Sequence, residues 1–118
     1  MIEIIAVLVI LGILAAVAVP RYMDLQAEAR NKATMAAVAE GMARVNQMAA
    51  KMILTSNGVI PTADSVVAQL TGSYTNAGDF TLAYDPAPVT GVIVSASGIG
   101  GTVSGGTASA TAYLPTSN

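Results

Sequence analysis

The side chains that carry most enzyme chemistry are missing from this sequence. Its 118 residues include no cysteine and no histidine, so the chain has no thiolate nucleophile, no imidazole base and no imidazole metal ligand. No glycine-rich loop opens a helix in the way that phosphate-binding loops do. Because no nucleophile and base pair can be assembled, the sequence predicts a protein that is not an enzyme and needs no cofactor.

Glu3 is the charged residue whose position most needs a functional explanation. It stands directly before residues 4–19, which contain neither a charge nor a hydrogen-bonding side chain. A carboxylate in such surroundings costs several kcal/mol unless a cation meets it, and we expect the nearest cation of the chain, Arg21, to be about 27 Å away along a helix. We therefore expect the amino group at Met1 of an arriving copy to meet Glu3 of a copy already in place. Repetition of such a contact gives an open helical filament.

Two further carboxylates, Asp79 and Asp85, flank a predicted strand in the second half of the chain. Calcium accepts scattered oxygen ligands, so these two residues with loop carbonyls are the candidate ligands of a calcium ion. Two aspartates six positions apart are weak evidence for such a site, and the simpler interpretation, which we prefer, is a pair of solvated loop charges. No other set of residues suggests a metal site.

The positive charge of the chain is confined to its first half. The formal net charge is −2, and the five basic residues all precede position 52: Arg21, Arg30, Lys32, Arg44 and Lys51. Tight nucleic-acid binding needs many phosphate contacts. The sequence therefore predicts no specific nucleic-acid partner.

Residues 1–20 form the element that must position Glu3. The apolar run is too long for one strand, and as a helix it reaches about 24 Å, slightly short of the ~30 Å hydrocarbon layer of a membrane. It has three interpretations: a cleavable secretory signal, which should begin with positive charge; a plain single-span anchor; or an assembly helix that is held in a membrane and later packs against copies of itself. Only the third gives Glu3 a role.

Residues 21–57 continue as the amphipathic half of the same helix. They are rich in good helix formers and contain no proline after position 20. Apolar side chains recur at steps of three and four and predict a stripe that covers a sheet. The stripe consists of Met35, Val38, Met42, Val45, Ala49 and Met52. Glu40 and Arg44 are four apart and suit a solvated face, and Gly58 is suited to end the helix near residues 56–58.

Residues 58–118 predict a small antiparallel sheet. Thr62 can cap a short helix over residues 63–70, and β-branched or aromatic stretches predict strands over residues 79–84, 89–96 and 107–114. We expect residues 85–88, which include two prolines, to form a connection. The fold class is therefore α+β: a long N-terminal helix, with a protruding apolar half and an amphipathic half, packed on an antiparallel sheet of three or four strands.

The first thirty residues contain two motifs, Ile2-Glu3-Ile4-Ile5 and Leu11-Gly12-Ile13-Leu14-Ala15-Ala16-Val17-Ala18-Val19-Pro20. With these motifs the segment resembles the N-terminal segment of type IV pilins and of the related pseudopilins of type II secretion. The resemblance implies a precursor cut by prepilin peptidase, N-methylated, held in the inner membrane and built into an extracellular pilus filament by an assembly machinery. It also implies that Glu3 compensates a neighbour's amino terminus, and that the helix between Gly12 and Pro20 melts in the filament.

The sequence departs from the pilin pattern in three ways. The basic leader is absent, which suggests a mature or trimmed chain. The family usually has two more residues before the acidic one, so Met1 need not be the mature N-terminus. Many pilins also close a C-terminal loop with a disulfide, which this chain cannot form. We expect the major structural subunit of a bacterial type IV pilus, serving adhesion or motility. The alternatives are a type II secretion pseudopilin and a monomeric, membrane-anchored binding module.

Overall fold

The computed structural model describes residues 1–116, and it has the predicted α+β architecture. Helix α1 spans Ile2–Thr55 and a shorter helix α2 spans Ala63–Leu70. Four strands follow, interrupted by one turn of 3-10 helix at Gly101–Val103: β1 (Asn76–Ala77), β2 (Phe80–Ala87), β3 (Gly91–Gly98) and β4 (Thr107–Tyr113). The chain divides into two compact units, Met1–Arg30 and a second that begins at Asn31.

The ends of the helices follow local sequence signals. Asn57 and Gly58 both have positive φ angles, 56° and 93°, and the Gly58 amide donates to the carbonyl of Ile53. This left-handed geometry ends α1 where a glycine was expected to end it. At the start of α2 the hydroxyl of Thr62 accepts a hydrogen bond from the amide of Ser65, as in a standard N-cap.

The sheet is an antiparallel meander in the order β1-β2-β3-β4. Strand β2 is longer than predicted, because Pro86 lies within it opposite Val92 instead of in the connection. Beyond Thr81 no strand pairs with β2 on its β1 side in the described part of the chain. A proline, which has no amide hydrogen to donate, is tolerated at such an edge.

The core lies between α1 and the sheet in the second unit. The helix buries seven residues along one face, and all except Met48 are no larger than valine: Thr34, Ala37, Val38, Gly41, Val45, Met48 and Ala49. The sheet and α2 supply the rest of the core: Val66, Leu70, Leu82, Tyr84, Val92, Val94, Ala96, Ala112 and Leu114. The narrow side chains on the helix allow its backbone to approach the sheet closely.

The predicted packing stripe is wrong at its first position. Val38 and Val45 are buried, and Met42 and Met52 pack partly against the core, but Met35 is 64% exposed. Thr34, which is 1% exposed, takes the place that Met35 was expected to fill. Met35 and Thr34 lie three and four residues before Val38, so helical spacing allows either to face the sheet. Because α1 lies close to the sheet, the smaller side chain, Thr34, fits there.

Candidate functional site

The N-terminal unit presents a continuous apolar surface. The large aliphatic side chains of residues 4–19 are all exposed, from 55% for Val7 to 65% for Ile4. Within residues 1–116, α1 is the one helix long and apolar enough to cross a membrane, and the apolar window near its N-terminus is not buried at all. Exposed apolar area of this extent marks a surface that another molecule or a membrane covers. The segment is compatible with a membrane anchor.

Glu3 is fully exposed at the start of α1, and its nearest cation is not the one expected. The amino group of Met1 in the same chain lies 4.0 Å from Oε2 of Glu3, so the expectation that Arg21 provides the nearest cation is wrong. Met1 precedes the helix, which leaves its amino group free to turn toward the carboxylate. Water screens a pair this exposed, and it contributes little in the isolated chain. A carboxylate in the first turn also interacts favourably with the helix dipole.

Residues 12–20 are helical without interruption, and Pro20 lies inside α1. Proline cannot donate the hydrogen bond to the carbonyl four residues earlier, that of Ala16, so the helix loses one bond there. A side chain at Gly12 would meet no atom within 4 Å, so packing within the chain does not require this glycine. The predicted melting between Gly12 and Pro20 concerns the filament and stays a prediction.

The two calcium candidates cannot share an ion. Asp79 immediately precedes β2, and Asp85 lies six residues further along the same extended strand, opposite Ile93. At about 3.3 Å per residue the two carboxylates are roughly 20 Å apart. Among the described residues there is no group of three acidic side chains that could hold a metal ion. The structure therefore does not bring the two calcium candidates together.

Arg44 has a structural role that the sequence pattern did not reveal. Its Nη1 donates to the carbonyls of Tyr74 and Asn76, both at 2.8 Å, and its Nη2 forms an ion pair with Glu40. The hydroxyl of Tyr84 donates to the same carbonyl of Tyr74 at 2.9 Å. Arg44 therefore joins α1 to the segment before β2, and its assignment to a solvated face is wrong. The available signal was its position next to Val45, at the margin of the buried stripe.

Burial raises the pKa of Tyr84 above its ordinary value of 10.0; the nearby guanidinium of Arg44 lowers this pKa, and Glu40 raises it. The folded state therefore keeps the phenol proton to a higher pH than the unfolded state. The stability that this pKa difference provides is fully present below about pH 10. It is lost as the pH rises through the pKa of Tyr84 in the folded state, and the free energy of unfolding then falls by at most about 1.4 kcal/mol per pH unit.

We expect Tyr84→Phe to reduce the alkaline loss of stability. Phenylalanine has no proton to lose, so the difference in free energy of unfolding between pH 9 and pH 11 should be smaller in the variant. Urea unfolding of the full chain in detergent micelles, followed by circular dichroism, measures this difference. Tyr113→Phe is the control because Tyr113 is 73% exposed. If Tyr84→Phe and Tyr113→Phe lost the same free energy of unfolding between pH 9 and pH 11, the raised pKa of Tyr84 would not be the source of the loss.

Comparison with known proteins gives no independent assignment. A scan against protein-family models, a search of curated proteins and a search of solved structures all returned no match. The functional interpretation therefore depends on the residues and geometry of this chain and on the resemblance of its first thirty residues.

Proposed function

We propose that this chain is the major structural subunit of a bacterial type IV pilus, which polymerises through residues 1–20 into a helical filament for adhesion or motility. One observation carries the proposal: an exposed, uncharged helical segment is preceded by a single exposed carboxylate, Glu3, in the same helix. The apolar surface needs a cover. The carboxylate needs a cation once that cover excludes water.

The membrane and the filament supply this cover at different stages. Before assembly, the inner membrane holds residues 4–19 as a single span. After assembly, the same segments pack against one another inside an extracellular filament, where the amino group of one copy meets Glu3 of the next. By resemblance, prepilin peptidase processes the precursor and a dedicated machinery assembles the filament.

Electron microscopy of material sheared from the surface of cells that express the chain tests the proposal. We expect long filaments that antibodies against this chain label along their whole length. Short fibres confined to the periplasm would favour the pseudopilin alternative. A chain that stays in the membrane fraction without fibres would favour the anchored binding module, whose anchor the apolar length of α1 also supports.

A further inference from the structure

The two edges of the sheet are protected very differently. At one edge, β1 pairs with Phe80 and Thr81 of β2, and the uncovered remainder of β2 contains a charge at Asp85 and a proline at Pro86. Charges and prolines on an edge strand discourage pairing with further strands. This edge is therefore closed to another strand.

Strand β4 forms the opposite edge and has none of these features. Its seven residues are Thr-Ala-Ser-Ala-Thr-Ala-Tyr, Thr107–Tyr113, with no charge, proline or glycine. Strand β3 is its only partner in the described chain, and no described backbone hydrogen bond outside the sheet involves these residues. Alternate amides and carbonyls of β4 therefore point away from β3 unpaired, in the pattern that accepts another strand.

We propose that β4 pairs antiparallel with β4 of a second copy of this chain. The register that pairs all seven residues places Ala110 opposite Ala110 and Ser109 opposite Thr111. In that register the threonine, serine and tyrosine side chains of the two strands meet on the solvent face, and the alanines meet on the core face. The strand has no charged residue, so no like charges meet. Thr107, Ala108 and Ser109 border an open groove on the solvent face of the sheet, but the edge itself is matched by a second β4, whose uncharged side chains meet in this register without repulsion.

This contact joins two copies and then closes, because the same strand is used on both sides. A seven-residue strand is about 23 Å long and a sheet about 10 Å thick, so the contact covers on the order of 500 Å² in total, below the ~1,000 Å² of a stable interface. A single pair is therefore weak, and many pairs acting together are strong. If the proposed filament function holds, β4 pairing links neighbouring filaments into bundles and does not extend a single filament.

Disulfide trapping tests the register directly, because the chain contains no cysteine of its own. Full-length Ser109→Cys and Thr111→Cys chains, one carrying an affinity tag, are mixed in detergent micelles and oxidised. We expect the mixed 109–111 disulfide to form at least about five-fold more than either self-disulfide, because opposite side chains in a strand pair are closest. Equal yields of the three species, or no dimer, would overturn the proposal.

A charge-matched pair of variants tests the role of the edge. Ser109→Lys with Thr111→Lys places like charges opposite each other across the pair, whereas Thr81→Lys with Ala83→Lys adds the same charge to the exposed side of β2, away from β4. We expect the unaltered chain to form a weak dimer in micelles at high concentration and bundles on cells. We expect the β4 variant alone to lose that dimer and to give single filaments. Bundles in the β4 variant would overturn the inference. If the chain forms β4 dimers in micelles but never forms filaments on cells, the β4 pairing is supported and the proposed pilus function is contradicted.

Discussion

Glu3→Ala is expected to abolish filament formation while the protein continues to insert into the membrane. The variant removes the charged side chain that directly precedes the apolar segment, so transfer into lipid becomes easier. Assembly loses the ion pair that would hold neighbouring copies in register, and a contact to a charged group excluded from water is worth several kcal/mol. At about 1.4 kcal/mol per factor of ten, this loss lowers the yield of filaments by orders of magnitude.

Asp24→Ala is the matched control for this experiment. Asp24 is also an exposed carboxylate in α1, and the substitution changes the net charge by the same amount, but it lies outside the apolar segment. Filament yield is measured by electron microscopy and by the amount of chain in the sheared fraction, and insertion by membrane fractionation. Normal filaments from Glu3→Ala would refute the charge-pairing mechanism.

The position of the Met1 amino group, 4.0 Å from Glu3 of its own chain, requires a second measurement. A carbodiimide activates a carboxylate and joins it to an adjacent amine as an amide. Pairing between copies predicts covalent dimers and higher species whose amide joins Glu3 to the amino terminus of another copy, identified by mass spectrometry. Pairing only within one chain predicts the same amide in monomers. The two arrangements therefore give products of different mass.

The sequence allowed prediction of the elements that are defined by local signals. Gly58 ends α1, Thr62 caps the N-terminus of α2, and β-branched stretches separated by glycine and proline form β2, β3 and β4. In each case the signal and the structure that it determines lie within a few residues. Helix capping, turn geometry and strand preference are short-range effects, and a single sequence contains the information for them.

The errors concern features that depend on distant parts of the chain. Met35 and Thr34 are both compatible with helical spacing, and the close approach of the sheet selects Thr34. Pro86 is acceptable in β2 only because no strand pairs with it on the side opposite β3, which depends on the two-residue length of β1. The role of Arg44 depends on carbonyls 30 and 32 residues further along. Packing distance, sheet edges and long-range partners are not visible in local patterns.

Gly41 is a position in α1 where a single substitution should strongly disturb the packing of the helix on the sheet. A Cβ atom built on Gly41 would overlap Cγ1 of Val94 and lie 3.4 Å from Cδ1 of Leu82. Val94 and Leu82 are 0% and 1% exposed, so neither side chain can move into open space. Alanine at position 41 would gain about 1 kcal/mol of helix propensity and lose about 1–3 kcal/mol through overpacking. Its net effect is therefore modest.

Gly41→Leu is expected to lose several kcal/mol of stability, a large part of the 5–15 kcal/mol that stabilises an ordinary domain. Ala43→Leu is the control, since position 43 lies in the same helix but is exposed. Urea unfolding of the full chain in detergent micelles measures both variants. Val94→Ala removes the overlapping methyl group, so we expect it to destabilise the unaltered chain by leaving a cavity and to recover part of the stability of Gly41→Ala. If the effects of Val94→Ala and Gly41→Ala simply add, or if the two leucine variants are equally stable, then the close packing of α1 on the sheet does not depend on Gly41.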